Sequence, residues 1–285
     1  MEKILVPTDF SPHTAKAFNY AIQIAYKTNA TLTILHDYHV PVIHQLAPNA
    51  RLLALLEAIE PIASDHFIAD INRIHSPEIL ENVRFNYLYN KDLTIETIVN
   101  LTEKGVYDLL IVTAKERNAL RRLFFNSVVT NLIKKVKKCA ILAVPENAKY
   151  ANIRQIAYCT KLQPLKETFA YLKETANTFC AAIHFVHVFK SSKGLQEKIN
   201  HFNQKAQKTL LNIPHQLHLI KDDDQEDAIL DFLHQNNHQT DLISFVERTE
   251  KEGLSRFFIN SIATKMASEA PVPVLIFQTK NKTDI

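Results

Sequence analysis

Glycine is scarce in this 285-residue chain: Gly105, Gly194 and Gly253 are the only three. Backbone that wraps closely around a phosphate usually needs glycine, so a glycine-rich nucleotide loop is excluded. Cysteine is equally scarce. Cys139, Cys159 and Cys180 are odd in number and form no Cys-x-x-Cys pair. That argues against a disulfide framework and a thiolate zinc site, and it fits a reducing cytoplasm. Long apolar runs are missing too. DLLIVTA and AILAVP stop well short of the ~20 residues of a membrane span, and MEKILVPTDFSPH contains no segment of signal-peptide length. The charge balance is nearly even, with a net charge of +3, too little to imply a nucleic-acid or membrane partner. The expectation is a soluble, cytoplasmic protein with neither.

What is present is an ordinary globular composition, 46% apolar and 22% charged, in a length that suits two domains. Lys3–Pro7, Thr31–His36, Arg84–Tyr89, Asp108–Thr113 and Ala140–Pro145 read as strands. Helical patterns separate them. Ala15, Phe18, Ala21, Ile22 and Ala25 give one apolar face after a start at Ser11 or Thr14. A second helix runs from Leu52 to about Ile74, interrupted near Pro61. A third is capped by Asp92, runs through Glu103 and stops before Gly105, and a fourth covers Ser127–Val136. Strands alternating with helices imply a parallel sheet, because parallel neighbours need long crossovers.

The order then repeats. Strands Gln155–Cys159, Ala182–Val188, Gln216–Lys221, Asp241–Val246 and Val274–Phe277 alternate with helices from about Leu165, through about Leu211, over Gln225–Gln235 and after Asn260. DLLIV at 108 matches DLISF at 241, and LRRLFFNS at 120 matches LSRFFINS at 254, with a one-residue slip in the intervening loop. Loops tolerate such insertions best. The chain therefore reads as two copies of one domain, 1–148 and 149–285, the second degenerate.

These residues resemble the universal stress protein family in its tandem form, over nearly the whole chain. ILVPTDFS looks like that family's first strand with its Asp-bearing turn, and LTILH like its second strand. DLLIVTAKERNALRRLFFNSVVTNLIKKVKKCAILAVP looks like its signature of strand, phosphate loop, Ser-led helix and final strand. The resemblance implies an α/β fold: two tandem five-stranded parallel-sheet sandwiches, adenine nucleotide alpha hydrolase-like, with strand order 3-2-1-4-5. It also implies ligands at the carboxyl ends of strands one and four, where the strand order reverses. Family members commonly pair through their fifth strands, so the two halves are expected to form an internal pseudo-dimer; a homodimer of tandems is left open.

ATP-binding members of the family carry a loop of Gly, two residues, Gly, nine residues, then Gly followed by Ser or Thr. That pattern puts Thr113 and Glu116 at the first two glycines and Asn126-Ser127 at the last pair. In the second half it puts Glu247 and Glu250 there, with Val246 an equal alternative for the first position. No glycine stands at any of these places.

The resemblance makes Asp9 an adenosine contact, beside Thr8; the residues alone allow a turn or helix cap. Asp37 follows the second strand, where the family contacts adenine through backbone atoms. Asn126 and Ser127 could face a phosphate from a helix start, or simply cap that helix. Lys115, Arg117, Arg121 and Arg122 against Glu116 leave the first loop with three net positive charges, enough to attract phosphate through side chains. In the second half Lys161 stands in Asp9's place and cannot accept a ribose hydroxyl. Arg248, Lys251 and Arg256 there are cancelled by Glu247, Glu250 and Glu252.

Metal ligation is not expected. His36 and His39, His184 and His187, and His215 and His218 are spaced i, i+3 on or at the ends of strands, where the two side chains point to opposite faces. His234 and His238 have helical spacing but no evident third ligand. Asp222–Asp224, Glu226 and Asp227 stand before a helix and read as caps and dipole partners. No catalytic constellation stands out. The expected function is a non-catalytic, stress-response regulatory protein, with ATP or AMP near Thr8, Asp9, Asp37, Thr113, Arg117, Asn126 and Ser127, and an unidentified protein partner. The alternatives are a nucleotide-independent interaction scaffold and a weak ATPase.

Overall fold

The computed structural model describes residues 1–37, 50–91, 93–114, 127–146, 148–235, 240–248 and 262–279. The chain folds as two compact units, Met1–Tyr150 and Ala151–Ile285.

In the first unit the order is β1 (Lys3–Pro7), α1 (Pro12–Thr28), β2 (Thr31–His36), α2 (Arg51–Ile59), α3 (Asp65–Ile74), α4 (Pro77–Asn82), β3 (Arg84–Tyr89), α5 (Ile95–Glu103), β4 (Leu109–Ala114), α6 (Ser127–Lys135) and β5 (Ala140–Pro145). The strands pair in the order β3-β2-β1-β4-β5, each pair parallel. From β1 to β3 the chain steps one way across the sheet, and from β3 to β5 it steps back past β1. Right-handed crossovers therefore place α1–α4 on one face and α5 and α6 on the other. The neighbours agree: α1 touches α3 and α4, and α5 touches α6. Covered on both faces, the central strands are continuous apolar runs rather than alternating ones. Ile4, Leu5, Leu110 and Ile111 are fully buried, and all six residues of β5 are buried.

The helices follow from their residues. Every apolar position anticipated on α1 is buried. Asn29 ends that helix in the left-handed conformation at φ 52°, which asparagine tolerates, and Ala30 N–H closes the turn on Ala25 O at 3.0 Å. The helical stretch through Pro61 is two helices, the second capped by Ser64 Oγ, which accepts from Phe67 N–H at 3.1 Å. The short α4, begun by Pro77 after Ser76, adds a helix to those the sequence pattern predicts. The cap of α5 is a correction: Thr94 Oγ1 accepts from Thr97 N–H at 3.2 Å. Asp92 lies outside the described residues. Gly105 adopts φ +70° just beyond α5, the conformation a helix stop demands of glycine.

The second unit repeats the plan with β6 (Gln155–Cys159), α7 (Lys166–Phe179), β7 (Ala182–Phe189), α8 (Leu195–Thr209), β8 (His215–Lys221), α9 (Gln225–His234), β9 (Leu242–Arg248), α10 (262–269) and β10 (Val274–Thr279). Its order, β8-β7-β6-β9-β10, is again 3-2-1-4-5 and parallel throughout. Detailed contacts recur as well. Asp108 Oδ2 accepts from Glu2 and Lys3 N–H, and Asp241 Oδ2 accepts from Arg154 and Gln155 N–H. Each carboxylate ties the start of its fourth strand to the start of the first. Asp224 caps α9, accepting from Glu226 and Asp227 N–H, so the acidic run does act as a cap. Among the described residues, no helix is long and apolar enough to cross a membrane.

Candidate functional site

The site anticipated in the first unit lies where β1, β2 and β4 end. As β1 stops, Thr8 N–H still reaches Leu35 O of β2 at 3.0 Å. The Thr8 hydroxyl accepts from Phe10 N–H at 3.0 Å and donates to Thr14 Oγ1 at 2.9 Å. This holds Phe10 at φ 54° and drives its ring into the core. Asp9, between the two, is turned out to solvent. Its Oδ1 accepts from Ser11 N–H at 3.0 Å and faces the Thr14 hydroxyl at 3.2 Å. Burial by itself would raise the Asp9 pKa, but the bonds from Ser11 and Thr14 outweigh it and hold the carboxyl below its ordinary value. Asp9 is therefore a fixed carboxylate at neutral pH, with the second oxygen outside these bonds.

Around it stand groups from the neighbouring strands. His36, at the end of β2, is buried against Phe10; its Nδ1 meets Thr8 O and its Nε2 lies 3.1 Å from Asp37 Oδ1. Asp37 itself is exposed. On β4, register with β1 (Ile4 opposite Leu109, Leu5 opposite Leu110) carries Thr113 level with Thr8. The Thr113 hydroxyl is buried and has no hydrogen-bond partner among the described residues. Beyond β5, Glu146 takes a contact from His13 on its carboxylate and from Lys16 on its carbonyl. The structure thus brings Thr8, Asp9, Asp37 and Thr113 to one end of one sheet. Ser127 is the first residue of α6. Arg117 and Asn126 lie outside the described residues, as do Glu250, Asn260 and Ser261.

The second unit rebuilds the same turn with different chemistry. Thr160 N–H bonds Val186 O at 2.9 Å, Leu162 N–H bonds Thr160 Oγ1 at 3.0 Å, and Leu162 takes φ 58°. His187 Nδ1 meets Thr160 O at 2.8 Å, repeating His36. Burial lowers the His187 pKa, opposed by the Thr160 carbonyl and aided by Lys198. The exposed residue of the turn is Lys161. The register also decides the first loop position left open by the sequence. Ile156 pairs with Leu242 as Ile4 pairs with Leu109, so Val246, buried, is the counterpart of Thr113 and Glu247 stands one residue later.

One cluster escaped the sequence. His184 and His187 do point apart, but His184 meets a histidine from another motif: its Nδ1 lies 2.9 Å from His218 Nε2, and its Nε2 lies 2.8 Å from Gln155 Oε1. The register of β7 and β8 sets His184 opposite Gln216 and Val186 opposite His218, so His218 is the diagonal neighbour of His184 on the same face. Among the described residues, no group of three or more His, Cys, Asp or Glu could hold a metal ion.

The model of the universal stress protein family matches residues 1–66. No curated protein matches the chain by sequence. Among solved structures, a universal stress protein from Archaeoglobus fulgidus is similar at 12% identity and a TM-score of 0.65, over 97% of this chain and 98% of that one. A functionally unknown protein from Pseudomonas aeruginosa is similar at 16% identity and a TM-score of 0.58, over 98% and 92%. The cytoplasmic domain of a prokaryotic cation chloride cotransporter is similar at 11% identity and a TM-score of 0.51, over 96% and 94%. At such identities these likenesses concern the fold. The chain thus resembles the universal stress protein family through its N-terminal segment, residues 1–66, and shares over nearly its whole length the fold of the solved structures above.

Proposed function

We propose that the first unit holds an adenine nucleotide at the carboxyl ends of β1 and β4, and that the protein is a non-catalytic, cytoplasmic regulatory module of the stress response. The observation that carries this reading is Asp9: a carboxylate pinned through Oδ1 by Ser11 and Thr14, which leaves Oδ2 to accept ribose hydroxyls. Lys115, Arg117, Arg121 and Arg122 supply positive charge in the sequence that follows β4. The carboxyl's depressed pKa suits a fixed hydrogen-bond acceptor and makes a poor general base at neutral pH, which favours binding over hydrolysis.

Isothermal titration of the purified chain with ATP, ADP and AMP tests the proposal. Binding should appear with at most one site per chain, because Lys161 removes the acceptor in the second unit. Asp9→Ala should weaken it by about 10- to 100-fold, the range expected for a hydrogen bond to a charged group. Ser127→Ala should matter more than Ser261→Ala. Two equivalent sites, or unchanged affinity in Asp9→Ala, would overturn the assignment. A second reading, a scaffold that binds no nucleotide, is favoured by Thr113: a β-branched side chain fills the place where the family's ATP-binding members have glycine. The absence of any binding at millimolar nucleotide would select that reading.

A further inference from the structure

Three polar side chains on one face of the second unit form a chain across three adjacent strands: Gln155 on β6, His184 on β7 and His218 on β8. The amide oxygen of Gln155 can only accept, so His184 Nε2 carries the proton in the 2.8 Å contact. A neutral His184 then presents a bare Nδ1, and His218 Nε2–H donates to it across 2.9 Å. The two rings lie nearly end to end, with centroids 5.1 Å apart. That geometry decides between a proton and a metal ion. An ion on the line between the nitrogens would need them about 4 Å apart, twice an ordinary metal–imidazole bond. The space admits a proton.

We propose that Gln155, His184 and His218 form a proton-responsive latch that holds the edge strand β8 onto the second unit and releases it when both imidazoles are charged. Among the described residues strand β8 is the edge of the second unit's sheet and pairs with β7 alone, and its residues are exposed or half-exposed throughout. The side-chain link therefore adds to a strand held on one side only. The first added proton charges one imidazole at a nitrogen outside the bridge and leaves the bridging proton shared between the facing nitrogens. A second turns the donor–acceptor pair into two facing donors on two cations.

The surroundings of the pair are as follows. From α9 the side chain against His218 is Phe232, edge to face at 5.1 Å. On that helix Glu226 and Asp227 are engaged by Lys265 of α10, while Asp231 and His234 are exposed; Glu269 is the other titratable residue of α10. On β8, His215 and Lys221 belong to the opposite face, with His215 against Phe185. On β7, His187 points to that same opposite face, toward Thr160. Beside β6, the Asp241 carboxylate is held by the N–H groups of Arg154 and Gln155.

Histidine-selective NMR of the full chain tests the latch. His184 should show the Nε2–H tautomer at neutral pH. The pair should titrate in two steps about two pH units apart, as two cations 5 Å apart at an effective dielectric of ~20 require. In His218→Gln, His184 should collapse to a single simple step. Hydrogen exchange supplies the second readout: protection of the β8 amides, corrected for intrinsic rates, should fall at least tenfold across the lower step in the wild type. It should not follow that step in His218→Gln, which keeps a hydrogen-bonding side chain without a charge. Independent single-step titrations of His184 and His218, or β8 protection that ignores the lower step, would overturn the proposal.

Discussion

His75 should make the first unit acid-labile. It follows α3, where its N–H closes the helix on Ile71 O at 2.9 Å, and its ring is only 4% exposed, edge-on to Tyr150. Burial lowers its pKa from 6.5 to about 4, against a smaller opposing effect of the Asn19 carbonyl; Nε2 is buried with no partner among the described residues. The unfolded imidazole takes up a proton below about pH 6.5, whereas the folded one does so only below about pH 4. Between those values the unfolded chain binds more protons, so stability falls as pH falls. The gap of about 2.5 pH units is worth about 3 kcal/mol when fully expressed, and about 2 kcal/mol of it is lost between pH 7 and pH 5. Urea unfolding of the wild type and His75→Phe at pH 7, 6 and 5 isolates this contribution, because the second unit is identical in both and its pH response cancels in the difference. The phenylalanine variant should gain about 2 kcal/mol on the wild type between pH 7 and pH 5. Parallel pH profiles for the two proteins would refute the reasoning, showing that the folded ring takes a proton in place.

Two helix ends offer further checks, both read by urea unfolding. Thr94→Ala removes the side-chain acceptor for Thr97 N–H and should cost about 1 kcal/mol, where Asp92→Ala should cost less. Gly105→Ala should also cost about 1 kcal/mol, from backbone strain at φ +70° rather than from crowding, since the new Cβ would meet only Lys138 Cδ at an ordinary 3.8 Å. A neutral Gly105→Ala would mean that the α5–β4 turn relaxes out of its left-handed conformation.

The alternation of buried apolar runs with amphipathic helices was legible from the residues, because each pattern is local: a strand covered on both faces must be apolar throughout, and a helix must be apolar on one stripe. The strand order that recurs in the second unit was legible for the same reason, through DLLIV against DLISF. The Asp9 turn and its Lys161 counterpart were legible as residue identities. Tertiary structure decided what depends on pairing between distant segments. Thr94 rather than Asp92 caps α5 because the backbone enters the helix two residues later than a side-chain inventory suggests. Val246 rather than Glu247 answers Thr113 because strand register, not a count back along a loop, sets equivalence. His184 and His187, as i, i+3 neighbours on a strand, diverge to opposite faces as their spacing requires. The partner of His184, His218, lies 34 residues away on the adjacent strand. His75 carries no sequence signal at all. Its place between Asn19 and Tyr150 exists only once α1, α3 and the end of the first unit have packed, and that packing is what strips the imidazole of water and of its charge.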